Sequence, residues 1–185
     1  MNGYQVVKNL IETKDLYRLC LAIAKICTYA DEQCPKSPAA HNHPLMNKLH
    51  DDLLQTAEKI FNKKLFKTYA YLRVYPNGEI LPKHLDRSAC EYSISLCLGY
   101  NSQTGWPISI IGLDGQVITI KLEPGDAIFY QGTKCKHWRH RFEGNDQAQV
   151  FLHYVDQNGP NAWCKDDLVQ QKPEDSKPEA IKPSD

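Results

Sequence analysis

His84 and Asp86 stand two residues apart in Ile80-Leu-Pro-Lys-His-Leu-Asp86, and His137 follows 53 residues downstream in Gly132-Thr-Lys-Cys-Lys-His137-Trp-Arg. On an extended strand, residues two apart project to the same side, so one strand end can present an imidazole and a carboxylate together. With His137 as a third donor, one face of a metal ion is gripped and the other is left open. Two imidazoles and a carboxylate in that arrangement suit Fe(II) chemistry with dioxygen and an organic co-substrate.

Three donors from distant stretches need a rigid scaffold. Between Leu65 and Tyr75, Ala70, Leu72 and Val74 alternate with Tyr71, Arg73 and Tyr75, which predicts a strand with one apolar face and one polar, aromatic face. From Glu91 to Gly99, Tyr92, Ile94, Leu96 and Leu98 alternate with Ser93, Ser95 and Cys97, and the small face leaves room for a ligand. Further strands are predicted at 108–111, 116–122, 127–130 and 149–155, separated by Gly112-Leu-Asp-Gly115 and Glu123-Pro-Gly-Asp126. Many short strands with glycine turns indicate a sandwich or barrel. Ahead of them, Leu16, Leu19, Cys20, Ile23, Ile26 and Cys27 repeat with helical period, with Thr13 as a cap and an end near Asp31. Met46, Leu49, Leu53, Ala57 and Ile60 form a second helical stripe. The chain thus divides into helical support over 1–64, a mainly β core over 65–164 that forms one domain with the helices, and a polar, proline-rich tail over 165–185 expected to be disordered.

Lysine plus arginine and aspartate plus glutamate both number 22, so no net field draws nucleic acid or an anionic membrane. The seven cysteines include no Cys-x-x-Cys pair; Cys20, Cys27 and Cys97 read as small buried hydrophobes in a reducing, cytosolic compartment. No run approaches a membrane span. His41 and His43, in a segment with three prolines in eleven residues, read as a solvated loop.

The stretches Arg73-Val-Tyr-Pro-Asn-Gly-Glu-Ile-Leu-Pro-Lys-His-Leu-Asp86, Leu122-Glu-Pro-Gly-Asp-Ala-Ile-Phe-Tyr-Gln-Gly132 and His137-Trp-Arg139 resemble, in this order, the prolyl-hydroxylase-like 2-oxoglutarate- and Fe(II)-dependent oxygenases. The resemblance covers about Leu65 to Tyr154. It implies a double-stranded β-helix, the jelly-roll or cupin-like barrel, buttressed by the N-terminal helices. His84, Asp86 and His137 take the metal-ligand roles, with two remaining positions for 2-oxoglutarate and one for O2. The implied reaction couples decarboxylation of 2-oxoglutarate, to succinate and CO2, with hydroxylation of a C–H bond. Ascorbate is a further expected reductant. Similarity to this group suggests a peptidyl proline or a free amino acid as substrate, so a small molecule or a peptide is the expected partner; oligomeric state is not indicated. Tyr75 matches a tyrosine that contacts 2-oxoglutarate, or else fills the barrel interior, and Ser93, Ser95 and Cys97 form the floor beneath.

One departure matters. The family carries a lysine or arginine nine or ten residues after the distal histidine to anchor the far carboxylate of 2-oxoglutarate; here those positions hold Asp146 and Gln147. Arg73 is the first substitute, Arg139 the second and Arg87, with Glu91 as an alternative ion-pair partner, the third. His140 rivals His137 as ligand, His153 faces inward as a pocket or core residue, and Trp138 walls the pocket or packs. Two other readings stand beside the oxygenase: a non-catalytic cupin-like binder of a metal or small acid, and an AlkB-like nucleic-acid demethylase.

Overall fold

The computed structural model describes residues 2–27 and 31–167; residues 168–185 of the expected tail lie outside them. Among the described residues, ten strands form two antiparallel sheets: β1 (Tyr4–Val7), β2 (Ala39–His41), β3 (Leu65–Pro76), β4 (Leu81–His84), β5 (Tyr92–Asn101), β6 (Ile108–Ile111), β7 (Val117–Ile120), β8 (Ala127–Tyr130), β9 (His137–Arg139) and β10 (Asp146–Asp156). The larger sheet runs β1-β8-β5-β10-β3-β2, and the smaller β4-β9-β6-β7.

The two faces of the larger sheet follow the alternation in its strands. Ala70, Leu72 and Val74, with Ile94, Leu96, Phe129, Val150 and Leu152, form the main apolar core beneath helices α1 (Lys14–Ile26) and α2 (Pro44–Phe61). The opposite face of β3 and β5 carries Tyr71, Arg73, Tyr75, Ser93, Ser95 and Cys97, all buried. Two sheets packed this way, with helices on the outside of one, make the expected double-stranded β-helix.

Several local expectations change. α1 ends at Ile26, and Leu19 and Ile26 are exposed rather than part of the buried stripe, because only Cys20 and Ile23 reach the sheet fully. Thr13 occupies the N-cap position without a side-chain bond; Glu12 Oε1 accepts instead from the amides of Thr13 and Lys14, at 3.1 and 3.0 Å. The loop expected around His41 contains β2, which pairs Ala39, Ala40 and His41 with Arg73, Leu72 and Tyr71. His43 caps α2, accepting from Leu45 N at 3.3 Å. All seven cysteines are unpaired thiols, and no helix among the described residues is long and apolar enough to cross a membrane.

The Pro-Gly-Asp turn is a clamp. Buried Asp126 accepts from Glu123 N at 2.9 Å, Asn9 N at 3.0 Å and Lys8 Nζ at 2.6 Å, tying the exit of β1 to the turn before β8. Gly125 sits at φ +89°, where a Cβ would meet the Ile11 carbonyl oxygen at 2.6 Å, so only glycine fits.

His50 joins α2 to the sheet, its Nε2–H donating to the His153 carbonyl at 3.0 Å. Burial pushes its pKa down to about 3, below an unfolded value of about 6.5. The group therefore stays neutral in the fold while the unfolded chain gains a proton, and its contribution is complete above pH 6.5 and is lost as pH falls. It should remove up to about 1.4 kcal/mol of stability per pH unit across that window. Urea unfolding of the parent and His50→Gln between pH 7 and 4.5 should show a shallower pH slope in the variant; equal slopes would refute this assignment.

Candidate metal centre

β4 and β9 are adjacent antiparallel strands in the smaller sheet, and their register sets His84 opposite His137. Asp86 follows β4, and its amide donates to the Gly132 carbonyl at 3.0 Å, which holds the carboxylate beside both rings. Asp86 Oδ1 lies 3.4 Å from His84 Nε2 and 3.6 Å from His137 Nε2. His84 Nδ1 is 2.7 Å from the Pro82 carbonyl oxygen and His137 Nδ1 3.0 Å from that of Cys135. A carbonyl can only accept, so both Nδ1 atoms carry the proton and both Nε2 lone pairs point at the shared space.

Burial pushes the Asp86 carboxyl up, but the His84 and His137 imidazoles outweigh it and hold the group below its usual range. Burial lowers His137 against the pull of Asp86. Asp86 Oδ2 is buried with no hydrogen-bond partner among the described residues, an arrangement that is costly unless a cation meets it. A carboxylate and two neutral imidazoles with converging lone pairs fit a divalent ion of the Fe(II) class. Gly132 makes the space: a Cβ there would meet Asp86 Oδ2 at 2.3 Å and the Cys90 carbonyl oxygen at 2.3 Å. A cavity of about 230 Å³ adjoins the triad, walled by Tyr69, Tyr71, Tyr75, Tyr130, Phe151 and His153.

Solved structures share this architecture. A prolyl-4-hydroxylase from Pseudomonas putida matches with a TM-score of 0.64 at 16% identity, covering 83% of this chain and 92% of the other. HygX from Streptomyces hygroscopicus, with nickel and 2-oxoglutarate bound, matches at 0.66 and 12% identity, covering 84% of each. A prolyl hydroxylase from Trichoplax adhaerens, in complex with a hypoxia-inducible-factor peptide, matches at 0.68 and 12%, covering 85% of each. This chain has the fold of the 2-oxoglutarate- and Fe(II)-dependent oxygenases. No family model matches it, and no curated protein matches it in sequence.

Within this oxygenase fold, the position of a usual anchor is taken by Gln147, which is buried and donates to Gln149 Oε1 at 3.2 Å. Gln149 donates in turn to Ser95 Oγ at 2.9 Å, so Ser95 belongs to a polar floor. Asp146 points the other way and accepts from Tyr17 on α1.

The three candidate arginines separate by their partners. Arg73 lines the cavity, pairs with Asp31 and donates to Tyr71 Oη at 2.9 Å, which leaves only its Nε buried without a partner among the described residues. Arg87 lines the cavity too and pairs with Asp167, not with Glu91. Arg139 differs. It is 1% exposed, donates through Nη1 to the Trp106 carbonyl, and leaves Nε and Nη2 buried without partners. The Tyr75 hydroxyl is buried and unpartnered as well, and its ring packs edge-on against Trp106 at 4.7 Å.

Alternation in β9 sends Trp138 outward, where Lys83 Nζ lies 4.5 Å from its ring centre, so Trp138 does not wall the pocket. His140 is exposed and outside the triad, which leaves His137 the only rival of the two that meets Asp86. His153 lines the cavity. Sequence reasoning missed Asp31, Gln33, His41, Tyr69, Cys90, Trp106 and Tyr130. Only Tyr69 carried a signal, as the next inward position before Tyr71.

Proposed function

We propose that the protein is a 2-oxoglutarate/Fe(II)-dependent dioxygenase that hydroxylates a C–H bond of a small molecule or peptide, with release of succinate and CO2. One observation carries the reading: His84 Nε2, Asp86 Oδ1 and His137 Nε2 converge beside a cavity that Tyr75 lines, and Tyr75 packs on Trp106, the same ring against which the Arg139 guanidinium is buried. Fe(II) bound by those three atoms would supply the activation of O2 that decarboxylation of 2-oxoglutarate drives. The residues do the rest. Arg139 and the Tyr75 hydroxyl together offer three unpartnered donor positions for the far carboxylate of the co-substrate, the role first assigned to Arg73. The Ser95–Gln149–Gln147 chain supplies polar groups on the same sheet face, with Gln147 opposite Tyr75 and Gln149 opposite Arg73. The aromatic wall of Tyr69, Tyr71 and Phe151 excludes water and supports a compact apolar target such as a proline ring of a peptide, or a free amino acid.

Arg139, as a candidate cationic anchor, weighs against a non-catalytic cupin-like binder. The balanced charge gives little phosphate affinity and disfavours a nucleic-acid demethylase. Seven unpaired cysteines support a reducing, cytosolic setting.

Anaerobic titration of the apo-protein with Fe(II) and then 2-oxoglutarate tests the reading. A saturable visible charge-transfer band in the parent and none in Asp86→Ala is the expected result. Metal binding without any such band would favour the binder.

A further inference from the structure

A second set of donors faces the Asp86 carboxylate. One ligand atom each from Asp86, Cys90 and His153 lie within 4.8 Å of one another, as do those of His84, Asp86 and His137. Asp86 Oδ1 is the oxygen nearest the two triad histidines, while Oδ2 is buried and unpartnered. Cys90 and His153 are 4% and 6% exposed, and all three residues line the same cavity, which gives an ion a way in.

The surroundings hold both new donors in place, although burial and Asp86 push the Cys90 thiol well up, so an ion must displace its proton. Ser93 Oγ donates its single proton to the Cys90 carbonyl at 3.2 Å, so it accepts from His153 Nδ1–H at 2.8 Å. That fixes the tautomer and leaves the lone pair on His153 Nε2. The Tyr69 hydroxyl sits 3.0 Å from Cys90 Sγ, placed to donate to a thiolate once a metal displaces the thiol proton. The His153 ring is itself held by Tyr69, with centroids 4.6 Å apart. These are the outer contacts that orient metal ligands, and the hydroxylation chemistry makes no use of Cys90.

We propose that Asp86, Cys90 and His153 form a second metal site, selective for a thiophilic divalent cation of the zinc class and sharing Asp86 with the His84/His137 pair. Thiolate, imidazole and carboxylate give two negative charges and a soft sulfur donor, which suits a four-coordinate ion with one position open to the cavity. Binding releases the Cys90 proton to solvent, with no change of oxidation state. Because the two sites share one carboxylate, an ion here draws Asp86 from the other pair and inhibits turnover; that consequence rests on the oxygenase reading, whereas the site itself does not.

Cobalt(II) is the probe, since a thiolate ligand gives it a near-ultraviolet charge-transfer band. Titration of the apo-protein should give a band saturating at one ion per chain. Cys90→Ser should abolish the band while cobalt still binds at His84, Asp86 and His137, and His84→Ala should keep it. A band absent from the parent, or unchanged in Cys90→Ser because another cysteine supplies it, overturns the proposal. If Cys90→Ser fails to fold, His153→Gln decides. Cobalt affinity at the band weakened about tenfold or more, the scale on which metal-site changes act, supports the site, and unchanged affinity overturns it. The iron reading is tested separately by the visible 2-oxoglutarate band, so either can fail alone.

Discussion

Asp86→Ala should lower Fe(II)-dependent decarboxylation of 2-oxoglutarate by at least about 1,000-fold, roughly 4 kcal/mol of transition-state stabilisation, while the protein stays folded. The carboxylate is the only anionic donor in the triad, and Oδ1 lies within 3.6 Å of both histidine Nε2 atoms. Two neutral imidazoles without it would hold a divalent ion by dipoles alone. Folding should survive because Asp86 brings a buried charge whose Oδ2 meets no donor among the described residues, so its removal strands no cationic partner. Succinate release and thermal unfolding of parent and variant measure the two parts. A folded variant that turns over 2-oxoglutarate at the parent rate would remove Asp86 from the metal centre.

Arg139→Met should act in opposite directions on stability and on binding. The guanidinium is buried with two nitrogens unpartnered and no carboxylate beside it among the described residues, and burial pulls its pKa below the usual arginine value. Replacing it with an apolar chain of similar length removes a desolvation cost of several kcal/mol, so the apo-protein should become more stable. On the proposed function, the same change deletes a charge-assisted anchor for the co-substrate. Losing one buried partner of a charge pair costs about 2–5 kcal/mol, so 2-oxoglutarate affinity should fall about 30-fold or more, with Fe(II) affinity little changed. Arg73→Gln is the internal comparison: it strands Asp31 and should destabilise the mouth of the cavity, with a smaller effect on the co-substrate. Calorimetric titration with 2-oxoglutarate in the presence of Mn(II), together with urea unfolding, reads both. Unchanged co-substrate affinity in Arg139→Met would return the anchoring role to Arg73 or Arg87.

The choice between these arginines marks the boundary of what could be read from the chain. Period-two alternation is a local property of a strand, so the sequence was enough to separate Ala70, Leu72 and Val74 from Tyr71, Arg73 and Tyr75 and to give Ser93, Ser95 and Cys97 a face of their own. The helical stripe of α2, the Pro-Gly-Asp turn and the two-residue step from His84 to Asp86 were legible for the same reason. Of the strands of three or four residues, β6 and β8 were legible between their turns, but β1, β2, β4 and β9 were not. β1, β2, β4 and β9 are too short for a period to show and exist through the partners that satisfy their backbone groups, such as β2 against Arg73–Tyr71.

Charge pairing was the other hidden layer. Arg73 looked unpaired because Asp31 lies 42 residues away in sequence, and Arg87 looked matched to Glu91 although its partner is Asp167. Sequence spacing says where a side chain can point within its own strand. Which cation is left without an anion, and which donors gather around a single carboxylate, depends on contacts between segments far apart in the chain, and the tertiary structure alone decided those.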